Sequence, residues 1–364
     1  MFSKSLKSLL VAGFSLCIIL FSNICSAKDD QEKKPVEQKG AFDANEVIFG
    51  HILDGHEFHF LSYQGSDGRT HHVTLPLPVI LYSPQKGWSV FMSSAFHHGE
   101  QEVGGYKLVE GKIAPVDPGV KVYDLSLTRN VAQMLLALAI LTFLMVSIAK
   151  KYQKGEGVST APTGWQNAVE PLITFIRDDV AKSNLGDKAD KYMPYLLTVF
   201  FFILINNTIG LMPGSATVTG NIAVTGVLGV IAFLVIVLNA NSHFWGHIFN
   251  PPGVPVFVKP ILVLVDFLGI FIKPFALIIR LFANMVAGHI IMICLISLIF
   301  IFGNLSPAVG WGVSPVSIGF TVFIYLIELL VAFLQAYIFT MLTAVFISMA
   351  IEEPYHHDET NLAV

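Results

Sequence analysis

Charge is scarce in this chain. Only 13% of its 364 residues are Asp, Glu, Lys or Arg, about half the usual share of a soluble protein, whereas 54% are hydrophobic. Mean hydropathy is +0.65. With a formal net charge of −4 and no long basic run, the chain lacks the electrostatic footprint of a nucleic-acid binder. Cysteine is nearly absent too: there are 3, and Cys17 and Cys25 lie in the first 27 residues, so no disulfide framework can form. The remaining one, Cys294, sits in a hydrophobic run and is expected to be buried. No phosphate-binding loop is present, no cofactor is expected, and no Cys/His spacing marks a metal site.

What the chain has in plenty is long apolar runs, and they make it an all-α polytopic membrane protein. Residues 1–27 combine Lys4 and Lys7, an apolar stretch from Leu9 to Phe21 and the small-residue ending Cys25-Ser26-Ala27. This is the pattern of a cleavable signal peptide. Residues 28–128 are polar, with alternating segments such as HHVTLPLPVILY and GWSVFM between Gly, Pro and Asp, and read as a small β-containing extracytoplasmic domain. Its seven histidines, at 51, 56, 59, 71, 72, 97 and 98, include a His-x4-His-x2-His run, but adjacent histidines on a polar surface are common without metal.

Residues 129–353 hold about five membrane helices. The first, Val131–Ala149, is followed at once by Lys150, Lys151 and Lys154, which by the positive-inside rule places that end in the cytoplasm. The stretch 151–191 contains VEPLITFIRDDV, read as an amphipathic helix at the membrane surface. Tyr192–Leu211 and Ile222–Leu238 cross out and back. Two longer segments, 259–302 and 316–351, are separated by the expected loop GNLSPAVGWGVSP, and residues 354–364 form a cytoplasmic tail. As helices the two segments span roughly 66 and 54 Å against a hydrocarbon core of about 30 Å, so they must form a tilted hairpin, with Pro260 and Pro274 as places to bend.

From 192 to 351 the charged residues are five: Lys259, Asp266, Lys273, Arg280 and Glu328. The first four are seven apart and share one helix face, since a helix drifts only about 20° per heptad. Asn284 continues that face, whereas His289 points to the opposite side. An antiparallel hairpin brings Arg280 level with Gln335, and His289 level with Glu328. Arg280 is always charged, at a depth where a charge costs roughly 2.5–3.5 kcal/mol even on lenient scales, so it marks a functional site and acts as a fixed positive charge. His289 and Glu328 are groups able to exchange protons. Asp266 either lines a second path or pairs with Lys259 or Lys273, and Asn207 either lines the first path or makes an interhelical hydrogen bond.

Five ordered stretches, FIRDDVAKSNLG, PYLLTVFFFILINNTIGLMPG, TGNIAVT, KPFALIIRLFANMVAGH and ELLVAFLQAYIFTMLTAVFISMAIEE, are similar to subunit a of the F-type ATP synthase over about residues 129–353. The resemblance implies a bacterial inner-membrane protein with its N-terminal domain in the periplasm and its C-terminus in the cytoplasm. Its partners would be the c-ring of subunit c, the peripheral stalk of subunit b, the rest of the synthase and the lipid bilayer. It matches Arg280 to the essential arginine facing the ring, Asn284 and Gln335 to its polar neighbours, and His289 and Glu328 to the pair of the periplasmic half-channel, in an order reversed from some relatives. Asp266 matches a position of the cytoplasmic half-channel and Asn207 one of the outer path; Gly210 stands where some relatives carry Asp. The N-terminal domain falls outside the resemblance. A stand-alone proton- or sodium-coupled transporter and a non-conducting scaffold remain as other readings, and the coupling ion is H⁺ or Na⁺.

Overall fold

The computed structural model describes residues 54–352, apart from 65–69, 100, 110–111, 118, 158–163, 213 and 252, and all of these belong to one compact unit. The expected signal peptide, His51 and the tail 354–364 lie outside the described residues.

The N-terminal part is built from short antiparallel strands. β1 (Glu57–Gln64) pairs with β2 (Thr70–Pro76), and β3 (Pro78–Ser83) is flanked by β4 (Gly87–Met92) and β7 (Tyr123–Asp124). β5 (Tyr106–Val109) and β6 (Lys112–Pro115) form a second ribbon. Alternation along β3 sends Val79 and Leu81 inward, where with Phe96 and Tyr106 they form a small fully buried core. Gly87 closes the β3–β4 hairpin at a φ of 77°, a left-handed conformation suited to glycine.

A clasp joins this domain to α1 (Arg129–Gln153). The Arg129 amide donates to the Gly55 carbonyl at 2.9 Å and the Asn130 amide to Asp54 Oδ1 at 3.2 Å, so the first turn of the helix is capped by the domain. Beside it, buried His56 holds Asp124 through Nε2 and Oδ2 at 2.8 Å. Partial burial raises the Asp124 pKa, but hydrogen bonds from His56 and from the Ser126 side chain and amide outweigh it, leaving the carboxyl at about 2. Among the described residues no three His, Cys, Asp or Glu side chains gather as a metal site.

Among the described residues four helices are long and apolar enough to cross a membrane, or five when α4 (Ile222–Leu238) is counted with α5 (Ser242–Phe249), from which it is bent by 98°. The bend falls where Asn239 and Asn241 interrupt the apolar run. Asn239 accepts from Tyr192 at 3.0 Å, and Asn241 bonds through its amide to Ala350 O at 2.9 Å and through its side chain to Ile351 O at 3.1 Å. α6 (Lys259–Leu305) and α7 (Pro307–Ile351) are the long hairpin, about 70 and 68 Å at 1.5 Å per residue. α6 runs through Pro274 without a break.

Two expectations are corrected, on the stretch 303–315 and on Cys294. The stretch 303–315 is not a loop: it is helical except at Ser306, because Pro307 starts α7 in its first turn and Gly310 passes directly against Gly303, too close for a side chain. The amphipathic helix expected within 151–191 is present, and it packs against the bundle. α2 (Trp165–Phe175) continues through a π-helical stretch, Ile176–Lys182, and short turns into α3 (Ala189–Gly210). Its apolar face, Ile176, Val180 and Leu185, is buried in the same core as Phe339 and Ile347 of α7, while Arg177 and Asp178 pair on the outside. Cys294 is exposed rather than buried, since an apolar run in a membrane protein turns much of its surface to lipid.

Candidate functional site

The hairpin positions the polar residues, and α3 packs against α7 to enclose part of them. Near the N-domain side, His289 of α6 meets Glu328 of α7, with Nδ1 and Oε1 3.3 Å apart. Glu328 is 6% exposed, and neither of its carboxylate oxygens has a hydrogen bond. The reason lies in the ring: His289 Nδ1 points at Met285 O and Nε2 at Gly210 O, both at 3.0 Å, so the carboxylate approaches Nδ1 from the side. Neutral imidazole has one N–H and satisfies one of these carbonyls. A doubly protonated ring satisfies both and sets its charge beside Glu328. An uncompensated buried carboxylate is costly, and the imidazole is the group beside Glu328 able to compensate its charge.

Gly288 makes room for this pair. A Cβ at that position would collide with the Glu328 carboxylate, and in a helix interior glycine otherwise weakens the structure relative to alanine. Gly210 supplies its carbonyl to His289, and Met285 touches the place where a Gly210 side chain would stand. Neither glycine is singled out for this by sequence, because small residues are common in membrane helices for packing alone.

Among the described residues no hydrogen bond joins Arg280 to Gln335. Gln335 bonds instead to Asn284, whose Nδ2 donates to Oε1 at 2.9 Å. Gln335 Nε2 is buried without a partner. Arg280 is exposed on the outer face of α6, and among the described residues no hydrogen bond or ion pair holds it. Ala276, Ala283 and Ala287, exposed at helical spacing around it, leave its surroundings low. A guanidinium on an apolar surface is costly without an acidic or polar partner.

Asn207 is buried. It accepts from Thr219 Oγ1 at 2.7 Å and donates to Ala332 O at 3.5 Å, which links α3 to α7 and to the 3-10 turn Val218–Gly220. Asp266 is half-buried on α6, and neither lysine of the stripe pairs with it: Lys259 Nζ donates to Asn250 Oδ1 at 2.6 Å, and Lys273 Nζ lies 5.2 Å from the Phe346 ring centre. The structure thus brings together His289 with Glu328 and Asn284 with Gln335, and leaves Arg280, Asp266 and Asn207 apart from these pairs.

The family described as ATP synthase A chain matches residues 131–348, and a domain described only as of unknown function matches 47–133. The chain is 42% identical over 316 residues to ATP synthase subunit a of Chloroherpeton thalassium, covering 85% of this chain and 78% of that protein. It is 40% identical over 278 residues to the subunit a of Chlorobium phaeobacteroides, covering 72% and 79%, and 41% identical over 243 residues to that of Myxococcus xanthus, covering 65% and 76%. The longest of these matches cannot be accommodated by residues 129–364 alone, so the likeness extends into the N-terminal domain, beyond the core to which the sequence motifs confine it. A match across most of the membrane region, with relatives sharing two fifths of their residues over most of their length, places the chain in the ATP synthase subunit a family, the non-catalytic, proton-translocating membrane subunits of the Fo sector.

Proposed function

We propose that protons pass through this chain by two offset paths that meet a rotating ring of subunit c at Arg280. The observation that carries the reading is the contrast between two polar sites on one helix: an exposed, unpaired arginine on the outer face of α6 and a buried His289–Glu328 unit on its inner side. The exposed face with Ala276, Ala283 and Ala287 suits close approach of another helix. A ring carboxylate brought there would be the acid that Arg280 lacks within the chain.

In this reading the N-terminal domain lies in the periplasm of a bacterial inner membrane and the C-terminal tail in the cytoplasm. Protons enter on the N-domain side past Asn207 and Thr219, and pass the His289–Glu328 unit, which takes up and releases a proton between its two states. They neutralise the ring carboxylate near Asn284 and Gln335. After rotation, the carboxylate ionises toward the other side, along the part of α6 that carries Asp266. Arg280 stays charged throughout, stabilises the ionised carboxylate between the paths and blocks a direct leak. Each charge moved is worth about 2.3 kcal/mol per 100 mV, so several must pass for each ATP made. The stator would be completed by the peripheral stalk of subunit b. Membership of this family does not favour a stand-alone transporter.

The test is Arg280→Lys in the assembled synthase. The substitution keeps a charge but replaces the planar fork by a compact, strongly hydrated ammonium on a shorter reach, so assembly persists and ATP-driven proton pumping into inverted vesicles is lost. Near-normal pumping by the lysine variant removes the role assigned to Arg280.

A further inference from the structure

We propose that the outward face of the β4–β3–β7 sheet rests on the lipid surface beside the start of α1, so that the N-terminal domain lies on the bilayer rather than standing free of it. The sheet is apolar on both faces. One face carries the core residues Val79 and Leu81; the other, which in a solvated sheet would be polar, carries rows of apolar side chains.

The register defines the rows. Trp88, Tyr82 and Tyr123 pair across the three strands, with ring centres 5.0 and 6.4 Å apart. In the next row Val90 pairs with Ile80, and the Leu125 amide donates to Ile80 O at 2.9 Å; Met92 follows, opposite Pro78. Trp88 is 65% exposed, Val90 67%, Tyr123 56% and Leu125 58%. Among the described residues no charged side chain interrupts the rows, although strand-forming segments with one free face normally place charge or polarity there. A contiguous exposed apolar patch marks either a protein contact or a membrane contact.

Three observations favour lipid. The Leu125 strand enters α1 within four residues, and α1 itself exposes Leu135, Leu136 and Leu138, so the patch continues an apolar surface that already faces the membrane. The rows are graded: hydrocarbon side chains lie toward the helix, and the rings bearing an indole N–H and hydroxyls lie farther from it, which is the order of an interfacial anchor. The absence of charge leaves nothing for electrostatic recognition by a soluble partner. The clasp of Gly55, Asp54 and His56 then holds the domain at a set angle to α1, so that the face is presented to the headgroups.

Trp88 is the reporter. The full chain carries 4 tryptophans, and Trp165→Phe, Trp245→Phe and Trp311→Phe leave Trp88 alone on the face. In vesicles of phosphatidylethanolamine and phosphatidylglycerol, lipids brominated near the headgroup end of their chains are expected to quench Trp88, whereas aqueous acrylamide is not. Val90→Glu in the same background is expected to reverse that preference. Quenching by acrylamide and not by brominated lipid overturns the proposal, and shielding that arises only in the assembled synthase reassigns the face to a protein partner. Retained lipid quenching in the Val90→Glu chain also overturns it, since the face would not be what touches the bilayer.

Discussion

At the residue scale the tightest constraint is Gly288. The Glu328 carboxylate occupies the space that any side chain at 288 would need, and the carboxylate cannot retreat without leaving His289. Gly288→Ala is therefore expected to separate the pair while favouring the helix itself by roughly 1 kcal/mol. Proton-driven ATP synthesis should fall at equal assembly, and normal synthesis would show that the pair does not work as a unit. Asp124 is the second such residue. Its pKa is depressed from 3.8 to about 2, so the bonds to His56 and Ser126 contribute stability that is fully present above about pH 4 and lost as pH falls through 2. The protection of the Arg129 and Asn130 amides against hydrogen exchange, relative to the intrinsic rate at each pH, should fall over that window in the native chain and stay level in Asp124→Asn. Identical pH profiles would exclude Asp124 as the group that titrates.

Among the elements, α1 depends on a single buried glutamine. Gln133 Nε2 donates to Ala216 O and the Ala216 amide donates to Gln133 Oε1, each at 2.6 Å, so one side chain satisfies both backbone groups of a buried loop residue. Gln133→Leu keeps the volume and leaves both groups unpaired, an expected loss of about 2–4 kcal/mol in reversible unfolding in bicelles. A loss below the error of the measurement would mean that water enters the site. The opposite end of the bundle is held similarly, with Lys188 Nζ donating to Ile351 O at 3.2 Å at the C-terminus of α7, where a cation also meets the helix dipole favourably. These elements were legible in the sequence to very different degrees. The bounds of α4, Ile222–Leu238, follow from Asn221 as its N-cap and the polar Asn239 that ends its apolar run. The α6–α7 turn was not legible, because glycine and proline signal both a loop and, as here, a helix start with close backbone approach.

For the whole molecule, the domain before Arg129 is bonded to the first membrane helix but makes no part of the His289–Glu328 unit. Deleting residues 28–128 while keeping the first 27 is expected to lower the yield of assembled synthase more than turnover per complex, read by comparing complex recovery with ATP-driven pumping per complex. Normal yield with a specific loss of proton flux would instead put part of the conducting path in the domain. The face of α6 that carries Arg280 is the counterpart at molecular scale: exposed, apolar and arginine-bearing, it is where the proposed contact with the ring would fall.

The sequence alone determined the membrane class, the hairpin and the depth of its charges. Apolar length sets what can cross a bilayer, and the rarity of charge made Arg280 and Glu328 conspicuous. It also placed His289 and Glu328 at one level, because helix rise is constant and an antiparallel hairpin matches equal distances from its turn, whereas their contact belongs to the packing. The turn itself, the pairing of Gln335 with Asn284 rather than with Arg280, and the two carbonyls facing His289 were decided by tertiary structure. The packing of α3 against α7 and the room left by Gly288 arise from several segments at once, and no local pattern in any one of them records the outcome.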